Sequence, residues 1–179
     1  FSFDDWFIGT TVMNKGIPQE TQSLTLKFHY NDIESLKKLY DDYPDQIAGV
    51  IMEAATTLSP CLDSCDKNKV CSSCPNNHQN FLNQVISLAH ENSSLFILDE
   101  MITGFRWHMQ GAQTYFGIEP DLCTFGKAMA NGFAVAALGG KREVMKLGGI
   151  LEEGKERIFL TSTTHGAEMS GLGAFVATI

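Results

Sequence analysis

Two short apolar segments, each ending in acidic residues, constrain the fold of this chain more than any other feature. Residues 47–53 read Ile-Ala-Gly-Val-Ile-Met-Glu, and residues 95–100 read Leu-Phe-Ile-Leu-Asp-Glu. Continuous apolar runs of this length are typical of strands covered on both faces, as in a parallel sheet. The segments 121–125 and 133–138 predict further strands.

Helical periodicity separates these strands. The first predicted helix begins near residue 32, with Asn31 or Asp32 as its N-cap and Pro44 just beyond its end. A second spans the 80s, and the last residues, 166–179, predict a third. The apolar residues that define the faces of the first two helices are Ile33, Leu36, Leu39, Tyr40, Phe81, Val85, Leu88 and Ala89. This alternation predicts an α/β fold with a mostly parallel sheet flanked by helices and no internal domain boundary.

Composition excludes several classes of function. The 179 residues carry a formal net charge of −8, and 44% of them are hydrophobic. An acidic globular chain without clustered Lys and Arg is a poor partner for nucleic acid or an anionic membrane surface. Its longest apolar runs are far too short to span a bilayer, and its first residues do not resemble a signal peptide. We therefore expect a cytoplasmic protein.

Glu53 and Asp99 end their apolar runs, which places them where parallel strands present ligands. An acid at the end of a buried strand needs a partner. One interpretation is a structural acid that caps a helix or forms a salt bridge. The other is an acid that faces a cationic cofactor, and the position of Asp99 alone does not decide between them.

Lys127 favours the second interpretation. It follows the strand-like segment 122–126 and precedes the small residues Ala128, Ala130 and Gly132. It is either a surface lysine in a glycine-containing turn or an amine in a partly desolvated pocket, where a neutral lysine condenses with an aldehyde. Together with Asp99, it suggests pyridoxal phosphate (PLP): the lysine forms a Schiff base, and the carboxylate keeps the pyridine nitrogen protonated.

Four motifs in the same order carry a family resemblance. They read Phe-Ile-Leu-Asp-Glu-Met-Ile-Thr-Gly-Phe-Arg (96–106), Tyr-Phe-Gly-Ile-Glu-Pro-Asp-Leu (115–122), Thr-Phe-Gly-Lys-Ala-Met-Ala-Asn-Gly-Phe (124–133) and Leu-Gly-Gly-Lys-Arg-Glu (138–143). The chain resembles the class III (subgroup II) PLP-dependent aminotransferases, and within them the glutamate-1-semialdehyde 2,1-aminomutase-like branch. The resemblance runs in register over about 46–145 and implies PLP-dependent transferase fold type I.

The resemblance also implies roles for individual residues. Asp99 matches the pyridinium partner and Lys127 the Schiff-base lysine, which would also carry the proton between substrate and cofactor. Met101 matches an apolar residue that packs on the cofactor ring, and Glu53 matches a family acid near the cofactor. A further match is the threonine that reaches the cofactor phosphate of the neighbouring subunit, best aligned with Thr163 and less well with Thr164. That match implies a homodimer.

The implied activity is amino-group transfer between a small-molecule amino donor and a carbonyl substrate, or within one substrate as an aminomutase. Other PLP reactions stay open, such as racemisation or amino-sugar transamination in polysaccharide synthesis, and so does an inactive truncated homologue. Because the family's phosphate-binding loop and small domain have no counterpart here, we expect residues 1–179 to be a partial large domain. The residues 103–106 are expected to be structural, with Arg106 pairing nearby acids.

A cysteine-rich insertion at about 60–78 departs from the family pattern. Cys61, Cys65, Cys71 and Cys74 provide a single Cys-x-x-Cys pair, whereas zinc sites usually show two such pairs or Cys and His pairs. We therefore expect reduced thiols or an incidental disulfide rather than a metal site. Cys123 is expected to be a small core residue.

Overall fold

The structure is a computed structural model, and it describes residues 14–55, 57–60, 80–148 and 168–179. Short helices and strands alternate along most of these ranges. The α-helices and strands, in chain order, are α1 Gln19–Ser23, α2 Ile33–Asp42, β1 Gly49–Glu53, α3 Phe81–Glu91, β2 Leu95–Glu100, α4 Ala112–Phe116, β3 Leu122–Phe125, β4 Ala137–Gly140, α5 Arg142–Met145 and α6 Met169–Thr178. The described ranges also contain the 3₁₀ helices Lys127–Met129 and Lys146–Gly148.

The described strands form one sheet in the order β1-β2-β3-β4. β1, β2 and β3 are parallel, and β4 joins the edge antiparallel to β3. The prediction of an α/β fold with a mostly parallel sheet is therefore confirmed. The fourth strand was predicted at 133–138 but lies at Ala137–Gly140, because the chain first turns back through a hydrogen-bonded turn in which the Phe133 amide donates to Ala130.

Burial alternates along the first two strands. Val50, Met52, Phe96 and Leu98 are buried, whereas the residues between them are half-buried. Helices α2 and α3 pack on the buried face through side chains that include Leu36, Tyr40, Leu82, Val85 and Ala89. On the opposite face Ile51 and Ile97 are half-buried, whereas Asp99 is buried at 5% exposure.

The helix starts follow from their capping residues. The Asp32 carboxylate accepts a hydrogen bond from the Ser35 amide, which confirms Asp32 rather than Asn31 as the N-cap of α2. The Asn80 side chain accepts from the Asn83 amide at 2.9 Å and caps α3 in the same way. The predicted C-terminal helix is present as α6, and Cys123 is buried in the core as expected.

Asp121 accepts hydrogen bonds from three segments of the chain at the edge of the sheet where β2 and β3 begin. Its carboxylate accepts hydrogen bonds from the Phe96 amide (2.7 Å), the Lys141 ammonium (2.8 Å) and, when that ring nitrogen is protonated, His90 Nε2 (2.8 Å). Burial on its own raises the pKa of Asp121, but these hydrogen bonds outweigh it and lower the pKa to about 2. One carboxylate therefore connects α3, β2 and the end of β4.

The described part of the chain contains no helix with both the length and the apolar character needed to cross a membrane.

Candidate functional site

The opposite edge of the sheet, where the parallel strands end, gathers the predicted polar residues. Glu53 on β1 is the register partner of Asp99 on β2, and Asp99 is the partner of Thr124 on β3. Side chains at the same register of parallel strands point to the same face. The three polar groups therefore form a row on the face opposite α2 and α3.

Asp99 is held in place by its own strand end. It is 5% exposed, and its Oδ1 accepts hydrogen bonds from the Met101 amide (2.9 Å) and from the Thr124 hydroxyl (3.2 Å). The first of these is an Asx-turn, which reverses the chain directly after β2. Both of these donors use Oδ1, so neither of them occupies Oδ2. A rigid, buried carboxylate with one oxygen available is suited to bind a cationic N–H group.

Glu53 is the second acid in the row and is half-buried. Burial raises its pKa, and the neighbouring negative charge of Asp99 raises it further. The positive charge of Lys127 acts in the opposite direction. The two acids and the lysine therefore interact electrostatically at one edge of the sheet, which is the grouping that the sequence predicts.

Lys127 begins the 3₁₀ helix that follows β3, one residue after Gly126. Its φ of 44° lies in the left-handed region, which residues with a side chain seldom adopt. Such backbone conformations persist where surrounding contacts hold them, often at functional sites. Lys127 is exposed in this structure, and its role as a Schiff-base lysine stays a prediction.

Met101 connects the end of β2 to the lysine segment. It is half-buried, and its thioether lies directly against Gly126, at the place where any larger residue would put its Cβ. A Cβ at that position would lie 2.8 Å from Met101 Sδ. The absence of a side chain at Gly126 therefore leaves room for the end of Met101 in this position. Whether Met101 also contacts a cofactor ring stays a prediction.

The structure supports one of two expectations for the residues that follow β2. Thr103 is buried, and its hydroxyl donates to the Glu100 carboxylate at 3.1 Å, in line with a structural role. Arg106 was expected to pair with nearby acids, but it is exposed and forms no ion pair with any acid in the described ranges.

Several predicted residues lie outside the described ranges. Thr163 and Thr164, the predicted phosphate ligands, are among them, as are the four clustered cysteines of the 60–78 insertion. Within the ranges that are described, no group of three or more His, Cys, Asp or Glu side chains is arranged to hold a metal ion.

Sequence reasoning missed three polar residues with clear contacts. Thr124 bonds to Asp99, and its place in the strand-like segment directly before Lys127 could have marked it as a residue near the site. Glu100 and Asp121 are buried carboxylates whose partners come from distant segments. No local sequence pattern signals those partners.

Comparison with known proteins identifies the family. The sequence model of the aminotransferase class-III family matches residues 74–179. Glutamate-1-semialdehyde 2,1-aminomutase of Aeropyrum pernix is 39% identical over 132 residues, which are 74% of this chain and 28% of that protein. 3-Aminobutyryl-CoA aminotransferase of Cloacimonas acidaminovorans is 35% identical over 179 residues, all of this chain and 39% of that protein.

A solved structure shows the same fold. The FumI protein of Sphingopyxis sp. MTA144, solved in its PLP internal aldimine form, superposes with a TM-score of 0.70 at 22% identity, over 91% of this chain and 35% of that one. The chain thus spans less than two fifths of the length of each of these three proteins. Because the family model matches more than half of the residues, this chain belongs to the class-III aminotransferase family.

Proposed function

We propose that this chain belongs to a PLP-dependent enzyme that transfers an amino group, as an aminotransferase or as an aminomutase of the glutamate-1-semialdehyde type. In this proposal the cofactor binds at the edge of the sheet where β1, β2 and β3 end. The observation that carries the proposal is the row of Glu53, Asp99 and Thr124 beside Lys127 at the carboxyl ends of the parallel strands. Ligands of open α/β sheets bind at this edge. Family membership supplies the reaction class.

The residues present fit the cofactor. Asp99 Oδ2 would accept a hydrogen bond from the protonated pyridine nitrogen, while Oδ1 stays fixed by Met101 and Thr124. Lys127 would bind the cofactor covalently through a Schiff base. PLP, when bound, supplies an electron sink that stabilises the negative charge left when a proton leaves the substrate carbon.

The remaining steps fall to side chains of this chain. The Lys127 Nζ, as a neutral amine, would accept the proton from the substrate carbon and return it at the acceptor carbon. Asp99 would hold the ring proton throughout. Met101, which lies against Gly126, would restrict the position of the ring.

Chemical trapping tests the proposal. The protein that carries this chain is loaded with PLP, reduced with borohydride and digested, and the modified lysine is identified by mass spectrometry. We expect modification at Lys127 in the wild type and in Lys146→Ala, a matched change at an exposed lysine of the next 3₁₀ helix. Lys127→Ala should lose the modification and nearly all turnover. Modification at another lysine, or turnover by Lys127→Ala, would contradict the proposal.

The substrate pair and the assembly are part of the same proposal. An amino donor labelled with ¹⁵N distinguishes the two activities, since a transaminase passes the label to a second carbon skeleton and a mutase returns it to the first. The homodimer, with Thr163 reaching the cofactor of the neighbouring subunit, predicts that Thr163→Ala weakens PLP binding and that sedimentation of the protein gives twice the monomer mass.

A further inference from the structure

Glu100 follows Asp99 directly, but its side chain lies on the other face of β2. It is fully buried, at 0% exposure. Its carboxylate accepts hydrogen bonds from the Ala112 amide (2.6 Å), the Gln113 amide (3.1 Å), the Thr103 hydroxyl (3.1 Å) and the Gln113 side chain (3.4 Å). A buried carboxylate is costly unless its acceptor positions are filled, so this arrangement holds Glu100 in one position.

All of these donors come from the segment that follows β2. The carboxylate joins the end of the strand to Thr103 and to the first turn of α4, twelve residues further along the chain. Gly111 allows this closure, because it adopts a φ of 88° and a Cβ there would collide with the Glu100 carboxylate. Glu100 therefore fixes the course of the segment 101–111.

That segment packs directly on the residues that precede Lys127. A Cβ on Gly104 would lie 2.8 Å from the Phe125 ring, and the rings of Phe105 and Phe125 are 5.6 Å apart. Met101 lies against Gly126. Lys127 follows at once, with its backbone in the left-handed region.

We propose that Glu100 is a positioning residue for Lys127: by fixing the segment 101–111, it holds Phe125 and Gly126 where the lysine amine meets its target atom. The inference rests on the proposed function. Displacing a reacting group by about 1 Å lowers the rate on the order of 10²-fold, so the effect should appear in the chemical step rather than in substrate binding.

The test substitutes the carboxylate in the PLP-loaded protein. Glu100→Gln keeps the shape of the side chain but turns one acceptor into a donor that faces N–H groups. In the folded variant, with PLP content measured per chain, we expect kcat per bound cofactor and the rate of borohydride fixation at Lys127 to fall on the order of 10²-fold. The KM of the amino donor should change less than about threefold.

A milder variant and a control keep the test decisive. Thr103→Val removes one of the hydrogen bonds to Glu100 and should give a smaller fall in the same two quantities, so it decides the question if Glu100→Gln does not fold. Glu91→Gln makes the same chemical change at an exposed position and should behave as the wild type.

Two results separate the failure of this inference from that of the function. If wild-type protein is not modified at Lys127, the proposed function fails, and this inference fails with it. If wild-type Lys127 is modified but the folded variants keep wild-type kcat per bound cofactor, or change KM alone, then Glu100 does not position the lysine. A variant with a lower unfolding temperature but an unchanged kcat would also show that Glu100 does not position the lysine, because a residue with only a structural role gives this result.

Discussion

Glu53 and Asp99 lie side by side, as register partners on neighbouring parallel strands, with their carboxylates on the same face of the sheet. Two acids so close repel each other, and burial adds to the effect on Glu53, whose pKa is raised by desolvation first and by Asp99 second. A cation bound between them would relieve this repulsion. The positive charge of Lys127 already offsets part of it.

The first prediction follows from the raised pKa of Glu53. A carboxyl group whose pKa is higher in the folded protein contributes stability that is present below its ordinary pKa and is lost as the pH rises through the folded value. Glu53→Gln should therefore raise the free energy of unfolding of the cofactor-free protein at pH 7 and have little effect at pH 4. Urea denaturation at the two pH values measures this. If Glu53→Gln lowered the free energy of unfolding at pH 7, the charged Glu53 carboxylate would be shown to stabilise the folded protein, and the prediction would be wrong.

Asp99 gives the second prediction. Asp99→Asn preserves the acceptor for the Met101 amide and the Thr124 hydroxyl but removes the charge that the proposed function assigns to the pyridine nitrogen. We expect turnover per bound cofactor to fall on the order of 10²-fold or more, with the fold intact. Steady-state kinetics and circular dichroism measure the two effects, and exposed Asp41→Asn is the matched control. Wild-type turnover by Asp99→Asn would remove Asp99 from the site.

Asp121 gives the third prediction, which concerns acid stability. Its pKa of about 2 lies below the ordinary value of 3.8. A lowered folded-state pKa contributes stability that is present above the ordinary pKa and is lost as the pH falls through the folded value. That difference corresponds to about 2 kcal/mol.

The wild-type protein should lose this contribution to its free energy of unfolding between pH 4 and pH 2. The Asp121→Asn variant should have a lower free energy of unfolding at pH 7, and that free energy should change less between pH 4 and pH 2. Unfolding free energies measured across this range check the prediction. Lys141→Met removes one of the three donors and should show a smaller change in the same direction. Parallel acid profiles for wild type and Asp121→Asn would contradict it.

The sequence predicts those parts of the site that depend on local patterns. Because strand length and direction are local properties, apolar runs that end in acids were enough to place Glu53 and Asp99 at the edge of the sheet where the parallel strands end. The N-cap of α2 and the apolar faces of α2 and α3 follow from helical periodicity in the same way. These features need no knowledge of how distant segments pack.

The missed features depend on contacts between distant segments. Nothing near Glu100 in sequence distinguishes it from Asp99, and its role appears when Ala112 and Gln113 are placed beside it. Asp121 meets donors 20 to 31 residues away. The exposure of Lys127 is likewise a tertiary property, because it depends on which elements cover the edge of the sheet.

The last prediction compares two glycines that pack around the lysine segment. A Cβ on Gly104 would lie 2.7 Å from the Glu100 carbonyl oxygen and 2.8 Å from the Phe125 ring, so backbone would have to move. A Cβ on Gly126 would meet the end of the Met101 side chain, which is unbranched and can rotate away. Gly104→Ala should therefore cost about 1–3 kcal/mol of unfolding free energy, and Gly126→Ala less than about 1 kcal/mol.

Gly173→Ala serves as the control for the pair. No atom lies within 4 Å of a Cβ at this position of helix α6, so alanine should stabilise the protein by about 0.5–1 kcal/mol through helix propensity. Urea denaturation at pH 7 gives the free energy of unfolding of each of the three variants, and these values should rank Gly104→Ala lowest and Gly173→Ala highest. If Gly126→Ala proved more destabilising than Gly104→Ala, the Met101 side chain would be held by contacts that prevent its rotation away from residue 126.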